Sequence, residues 1–393
     1  MRTVTKVFLA IGAVLAVLAG LWALIAPGQL VKYPSDLNKT VIATGRFSLF
    51  INPATGAPLA RPQVLPLSIQ RHIHVISSTS SQAVVKEDDV EKIGSLPQQD
   101  LQQQYVLDRS TLKNLPSSKS YAYAPTNVVN PAPAYSINFP FDTGAGPYQV
   151  WKNEVGRSYT FRRQGASVSR DGVTLLPLQG QLSDVPAQPY YLAQLKALGL
   201  PTQTSIQRLA PQLKRLGLDP AQLSTTLLPR LSPSDRALIQ SALARPIGLR
   251  YVVSVNTRLL VEPTTGAIVS LDRIDQTLSV QPEFAALRQI GAVLGKQQYR
   301  SAPVIGTVTS ILARLAQTPP TARVFTFSYG QTPASVANFA SYANSKANSI
   351  DAVETTIPVL LLVLGVVSGG VGLAIYYRDR RRLGTGPRAM AQR

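Results

Sequence analysis

Two uncharged stretches constrain this chain more than any other feature. Val7–Ala26 runs for twenty residues without a charged side chain, and Ile357–Tyr377 for twenty-one. At about 1.5 Å of rise per helical residue, each covers the roughly 30 Å of a bilayer's hydrocarbon core. No segment between them approaches that length. The chain is therefore predicted to hang its middle, residues 27–356, between two membrane helices. The first run is read as an uncleaved anchor rather than a signal peptide. Leu24-Ile25-Ala26 puts leucine where a cleavage site wants a small residue, and Pro27 follows directly.

Charge at the flanks gives orientation. Arg2 and Lys6 precede the first run, while Arg378, Arg380, Arg381, Arg382, Arg388 and Arg393 follow the second against Asp379 alone. The positive-inside rule then puts both termini in the cytoplasm and residues 27–356 outside the cytoplasmic membrane. The arginine-rich tail reads as a topology signal in contact with anionic lipid, not as a nucleic-acid site. Small residues recur four apart in both runs, at Gly12, Ala16 and Gly20 and at Gly365 and Gly369. That spacing lets helix backbones approach closely, which leaves two readings open: the spans pair, or they share the glycine that is common in membrane helices.

Composition removes much chemistry. The chain has no cysteine, which excludes disulfides, thiolate zinc sites, iron–sulfur clusters, cysteine nucleophiles and a lipoprotein anchor. Its two histidines, His72 and His74, share one face of a presumed strand. No third ligand stands at a suggestive spacing, so no metal site is expected. Glu87, Asp88, Asp89 and Glu91 are read as a solvated acidic strand edge rather than a calcium site. There is no G-x-S-x-G elbow, P-loop or dinucleotide fingerprint. A hydrolase would have to use acids such as Asp108 or Asp142. The sequence therefore predicts neither an enzyme nor a cofactor.

Between the spans the pattern is α+β. An elongated, barrel-like antiparallel β ectodomain is predicted, with a helical insertion and a flanking transmembrane helix at each end. The boundaries read as a cytoplasmic start at 1–6, a span at 7–26 and a β-rich part at 27–185. A basic helical insertion follows at 186–248, then a second β-rich part at 249–332. A helical stalk at 333–356, a span at 357–377 and a basic tail at 378–393 complete the chain. The clearest hairpin joins Leu249–Val261 to Ala267–Val280 through Glu262-Pro263-Thr264-Thr265-Gly266. Proline presets φ early in such a turn, and glycine accepts the positive φ that closes it. Asn52-Pro53-Ala54-Thr55-Gly56-Ala57 repeats the pattern x-P-x-T-G-A, which marks Pro53, Gly56, Pro263 and Gly266 as structural turn residues. Asp108-Arg109-Ser110-Thr111 is a looser third copy.

The insertion differs in composition. Leucine, alanine, glutamine and proline dominate, and residues 186–250 hold eight bases against Asp219 and Asp235. Leu209 and Leu213 fall on one helical face, and Leu227 belongs to a similar stripe. The bland reading is a cap packed on the sheet. The sharper one has Leu209, Leu213, Leu227, Lys214, Arg215 and Arg230 contacting lipid or an anionic membrane surface and gating lipid entry.

Several stretches together carry a resemblance. They are Tyr33-Pro34-Ser35-Asp36-Leu37, Leu107-Asp108-Arg109-Ser110-Thr111, Asn138-Phe139-Pro140-Phe141-Asp142-Thr143 leading to Tyr148 and Trp151, and Val261-Glu262-Pro263-Thr264-Thr265-Gly266. With the two flanking spans, the chain resembles the actinobacterial porin PorA-like membrane family, which includes the mycobacterial lipoglycan-control protein LmcA. A glycine is expected after the Asp-Arg-x-Thr turn and Leu112 stands there, so that turn is expected to differ. The resemblance implies an extracytoplasmic β fold with an apolar interior that accepts lipid, and a role in envelope lipid or lipoglycan biogenesis. An outer-membrane barrel is not implied, because apolar helices flank the strands. The functional expectation is a membrane-anchored lipid-binding protein whose partners are an envelope lipid or phospholipid and an anionic membrane surface. The alternative is a non-catalytic scaffold for membrane glycosyltransferases.

Overall fold

The computed structural model describes residues 3–384 apart from 53–56, 196–198, 220, 222, 300–302 and 318–319. Its two long apolar helices are α1 (Thr3–Leu30) and α8 (Ile357–Gly384). They pack antiparallel, so Thr3 and Gly384 lie at the same end of the pair. The contact runs through the small residues: a Cβ on Gly12 would stand 2.8 Å from the Gly365 carbonyl oxygen and 2.8 Å from the Gly369 nitrogen. At the other end Trp22 Nε1 donates to the Val353 carbonyl at 2.9 Å. The outward faces are apolar and bare, with Leu24 82% and Val366 67% exposed. Of the two readings of the small residues, the helices take the paired one.

The β region is one curled antiparallel sheet. Its strands are β1 (Asn38–Ile51), β2 (Pro58–Ser78), β3 (Gln82–Ile93), β4 (Gln99–Asp108), β5 (Tyr121–Tyr123), β6 (Tyr148–Lys152), β7 (Arg157–Arg163), β8 (Val168–Arg170), β9 (Val173–Pro186), β10 (Gln203–Thr204), β11 (Ile247–Val261), β12 (Ile268–Glu283) and β13 (Ala322–Gln331). They run in the order β5-β4-β3-β2-β1-β13-β12-β11-β9-β7-β6, with β8 beside β9 and β10 beside β11. The sheet curls into a half-barrel. Its two edges are bridged by the irregular stretch 124–147, where Asn114 N donates to the Ala134 carbonyl and Trp151 N to the Tyr135 carbonyl. Phe47, Phe325 and Phe327 pack tilted and edge-on within the half-barrel at centroid distances of 5.0–5.3 Å.

The predicted turns share one chemistry. Glu262 accepts from Thr264 N at 3.0 Å, Thr265 N at 2.8 Å and Thr265 Oγ1 at 2.6 Å. Asp108 does the same for Ser110 N at 2.9 Å, Thr111 N at 2.7 Å and Thr111 Oγ1 at 3.0 Å. Each turn closes with the first residue's N–H on the sixth residue's carbonyl: Glu262 on Ala267, Asp108 on Lys113, and Asn52 on Ala57. Gly266 has φ 67° and Leu112 has φ 61°. The expectation that Leu112 changes its turn is therefore corrected. The leucine takes the glycine-like conformation, and its side chain is 1% exposed in the core. Pro53 and Gly56 lie outside the described residues. Asp171 and Gly172, both at positive φ, join β8 to β9, and β7 also pairs with β9.

The stalk expectation is also revised. Helix α7 (Pro333–Asp351) continues into α8 through a π-helical turn, Ala352–Thr356. Helix α7 itself lies against the sheet, packing Val336, Ala340 and Ala343 on Val173, Leu175, Leu260, Ala267 and Val269. Thr332 caps it, accepting from Ser335 N.

Candidate functional site

The concave face of the half-barrel encloses two adjoining cavities. Strand alternation decides what lines them, since residues two apart share a face. The larger cavity, about 260 Å³, lies where the sheet meets the ends of both long helices, with Leu30 and Val353 in its wall. Leu37, Val41, Ile73, Leu112, Ile137, Phe141, Ile268, Leu271, Phe339 and Ile350 make most of it apolar. Lys32, Lys39 and Lys346 also line it. Lys39 Nζ stands 4.7 Å and Lys346 Nζ 5.7 Å from the centroid of the Tyr342 ring. Among the described residues no carboxylate lies within ion-pair distance of these three lysines.

The smaller cavity, about 140 Å³, shares Arg71, Glu87 and Ser136 with the first and is polar. Arg71 donates to both oxygens of Asp89 at 2.8 Å. Asn153 holds a network in which it receives Trp151 Nε1 at 2.6 Å and donates to Tyr105 OH at 2.7 Å and to Gln103 Oε1. Lys152 pairs with Glu154 at 2.6 Å. Glu87 forms part of both walls and is 5% exposed. Burial pushes its carboxyl up to about 7; the Arg71 charge opposes the shift and the Asp89 charge adds to it. Burial, reinforced by Asp89, likewise pushes Glu91 up to about 7.

This corrects the reading of the acidic run. β3 lies between β2 and β4 and is no edge strand. Its pleat turns Glu87, Asp89 and Glu91 toward the inner cavity and Asp88 the other way. The run looked like a solvated edge because four acids in five residues hide their alternation. Arg71, the compensating charge, comes from another strand.

The insertion lies elsewhere. It leaves β9 at Pro186 and enters β11 at Ile247, at the end of the sheet opposite Val261 and the Glu262–Gly266 turn. At roughly 3.3 Å per strand residue, about 45 Å separates those ends. Helix α2 (Pro189–Gln194) opens the insertion, and helices α3 (Ile206–Arg215) and α4 (Pro233–Ala244) pack with α5 (Ala285–Leu294) and α6 (Pro303–Gln317). Leu213 is 1% and Leu227 2% exposed, and Leu209 packs against the same cluster. The expected lipid contact by these leucines is corrected: they are the cap's own core. Lys214, Arg215 and Arg230 are exposed on that far cap, with Lys214 3.5 Å from Asp219. The lining lysines went unnoticed in the sequence and the inner acids were misread as a solvated edge; only the period-two pattern of β2 and β3 carried a signal.

His72 and His74 face away from the cavities, since Arg71 and Ile73 line them. Their rings stack with centroids 4.6 Å apart. The β2–β3 register sets Asp88 opposite His72, which supplies the third ligand type the linear spacing lacked.

Fold and site define a membrane-associated protein, held by two apolar helices, whose curled sheet encloses a cavity beside the helix ends. A family model described as PorA, porin PorA, matches residues 4–374, and the chain belongs to that family. No curated protein matches the chain significantly.

Proposed function

We propose that this protein is a membrane-anchored, extracytoplasmic lipid-binding protein that supports envelope lipid or lipoglycan biogenesis, a role akin to that of the lipoglycan-control protein LmcA. The observation that carries the reading is the larger cavity: apolar walls that open beside Leu30 and Val353, where both helices leave the membrane. With the adjoining chamber, its volume falls in the range of about 300–1,000 Å³ typical of small-molecule pockets. An acyl chain fits the apolar walls, and Lys32, Lys39 and Lys346 supply positive charge for an anionic headgroup. Both termini are then cytoplasmic, as the flanking arginines require.

Native mass spectrometry of the full chain, released gently from detergent, tests this. Co-purifying lipid, and re-uptake of an anionic phospholipid after delipidation, are expected. Protein that carries no lipid and takes up none overturns the reading. Capture of a glycosyltransferase by in-membrane crosslinking from such lipid-free protein would favour the scaffold instead.

A further inference from the structure

The outer face of the sheet carries a second cluster, independent of the cavity. Each of His72, His74 and Asp88 offers one ligand atom, and the three atoms lie within 4.8 Å of one another. We propose that these three residues form a binding site for a divalent transition metal, with zinc as its first occupant. Two imidazoles and one carboxylate make a donor set suited to zinc and its neighbours in the first row, which bind nitrogen readily.

The local hydrogen bonds support this assignment. His72 Nε2 lies 2.7 Å from Asn38 Oδ1. An amide oxygen only accepts, so this contact puts the ring proton on Nε2 and leaves the Nδ1 lone pair for a metal. His74 Nδ1 is buried and makes no hydrogen bond. Asp88 Oδ2 stands 3.8 Å from it, and Lys86 is the partner of His74 in the strand register. The other Asp88 oxygen, Oδ1, is held by Lys86 at 2.8 Å, so Oδ2 is the oxygen left for the metal. In a tetrahedral site with bonds of about 2.0–2.2 Å, donor atoms stand about 3.3–3.6 Å apart. Closing the cluster onto an ion takes a movement of about one ångström in side chains that are only half-buried. The half-exposed setting leaves the fourth position to water.

The site's place in the fold gives the metal a role. Asn38 opens β1, eight residues past the end of α1, and faces His74 in the strand register. A bound ion would tie β2 to β3 and, through His72, hold Asn38 where the chain rises from the membrane.

Zinc titration by calorimetry tests the proposal, using full-length protein in detergent, without a histidine tag and after chelator treatment. One ion per chain is expected, and cobalt in its place should give visible bands of a nitrogen- and oxygen-ligated tetrahedral or five-coordinate ion. His72→Ala with His74→Ala should abolish binding, Asp88→Asn should weaken it strongly, and Asn38→Ala should cost about 10- to 100-fold. Thermal unfolding in chelator serves as the folding control for each variant. No zinc heat in the parent chain overturns the proposal, as does zinc binding that survives the double histidine substitution.

Discussion

At its far end the molecule closes its apolar side chains around one another; at its membrane end it lines a space with them. The cap packs Leu213, Leu218, Leu227, Leu231, Ile239, Leu294, Leu312 and Leu315 into one cluster. Its buried acid Asp235 is satisfied by Lys296 at 2.5 Å and Tyr299 at 2.8 Å. The base does the opposite. Phe141, Phe339 and Ile137 stand around a cavity, and Glu87 is buried between two chambers without a hydrogen bond among the described residues. An interior arranged for stability fills its volume and pairs its polar groups. Where both rules fail together, the volume is kept for something else.

Substitution in the two cores should separate them most sharply. Leu213→Ala should destabilise the cap by about 2–5 kcal/mol, because a packed site cannot collapse around the void. Phe339→Ala, which widens a space already open, should cost about 1 kcal/mol. Denaturant unfolding of the detergent-solubilised protein reads both, and equal losses would erase the distinction.

Helix pairing supports the base alone. A Cβ on Gly12 would meet the Gly365 and Gly369 backbones at 2.8 Å. In this cysteine-free chain, Leu9→Cys with Gly372→Cys should crosslink on oxidation. Adding Gly12→Leu should cut that yield several-fold and lower lipid retention, while cap stability stays put.

The two buried acids should respond to pH with opposite sign. The folded pKa of Glu87 is raised to about 7, so its contribution is present below the ordinary glutamate value and is lost as pH rises through about 7. Asp235 is lowered by its bonds from Lys296 and Tyr299, so its contribution is present above the ordinary aspartate value and lost as pH falls below it. Glu87→Gln should raise the melting temperature at pH 8 by roughly 2–4 °C and leave it nearly unchanged at pH 4. Asp235→Asn should lower it at pH 7.

Charge reversal gives the smallest effect. Each of Lys32→Glu, Lys39→Glu and Lys346→Glu should reduce retention of anionic phospholipid about fivefold, the equivalent of about 1 kcal/mol per base. Reversal at Lys214, Arg215 and Arg230 should leave retention unchanged. Loss at the cap instead would return the lipid contact to the insertion.

Much of the scaffold was legible. Runs of twenty apolar residues and a Pro-x-x-Gly turn announce themselves locally, and β11 and β12 fall within a few residues of their expected ends. The helical character of the insertion was also readable, and Ser205 and Ser232 cap two of its helices. The site was not legible, because every part of it depends on register. Arg71 meets Asp89, and His72 meets Asp88, only once β2 and β3 pair. The cavity lysines come from segments more than three hundred residues apart. The insertion was misplaced for a related reason: a basic amphipathic stripe looks the same whether it meets a membrane or a second layer of helices, and α5 and α6, which cover it, lie about seventy residues on.

The central claim is that lipid occupies the base and not the cap. Photo-crosslinking in membranes with a phospholipid carrying a diazirine near the end of its acyl chain tests it most directly, with labelled peptides mapped by mass spectrometry. Label is expected on the segments that carry Leu37–Val41, Ile137–Phe141 and Phe339–Ile350. Label confined to residues 206–244, or to the outward faces of the two spans alone, would contradict it.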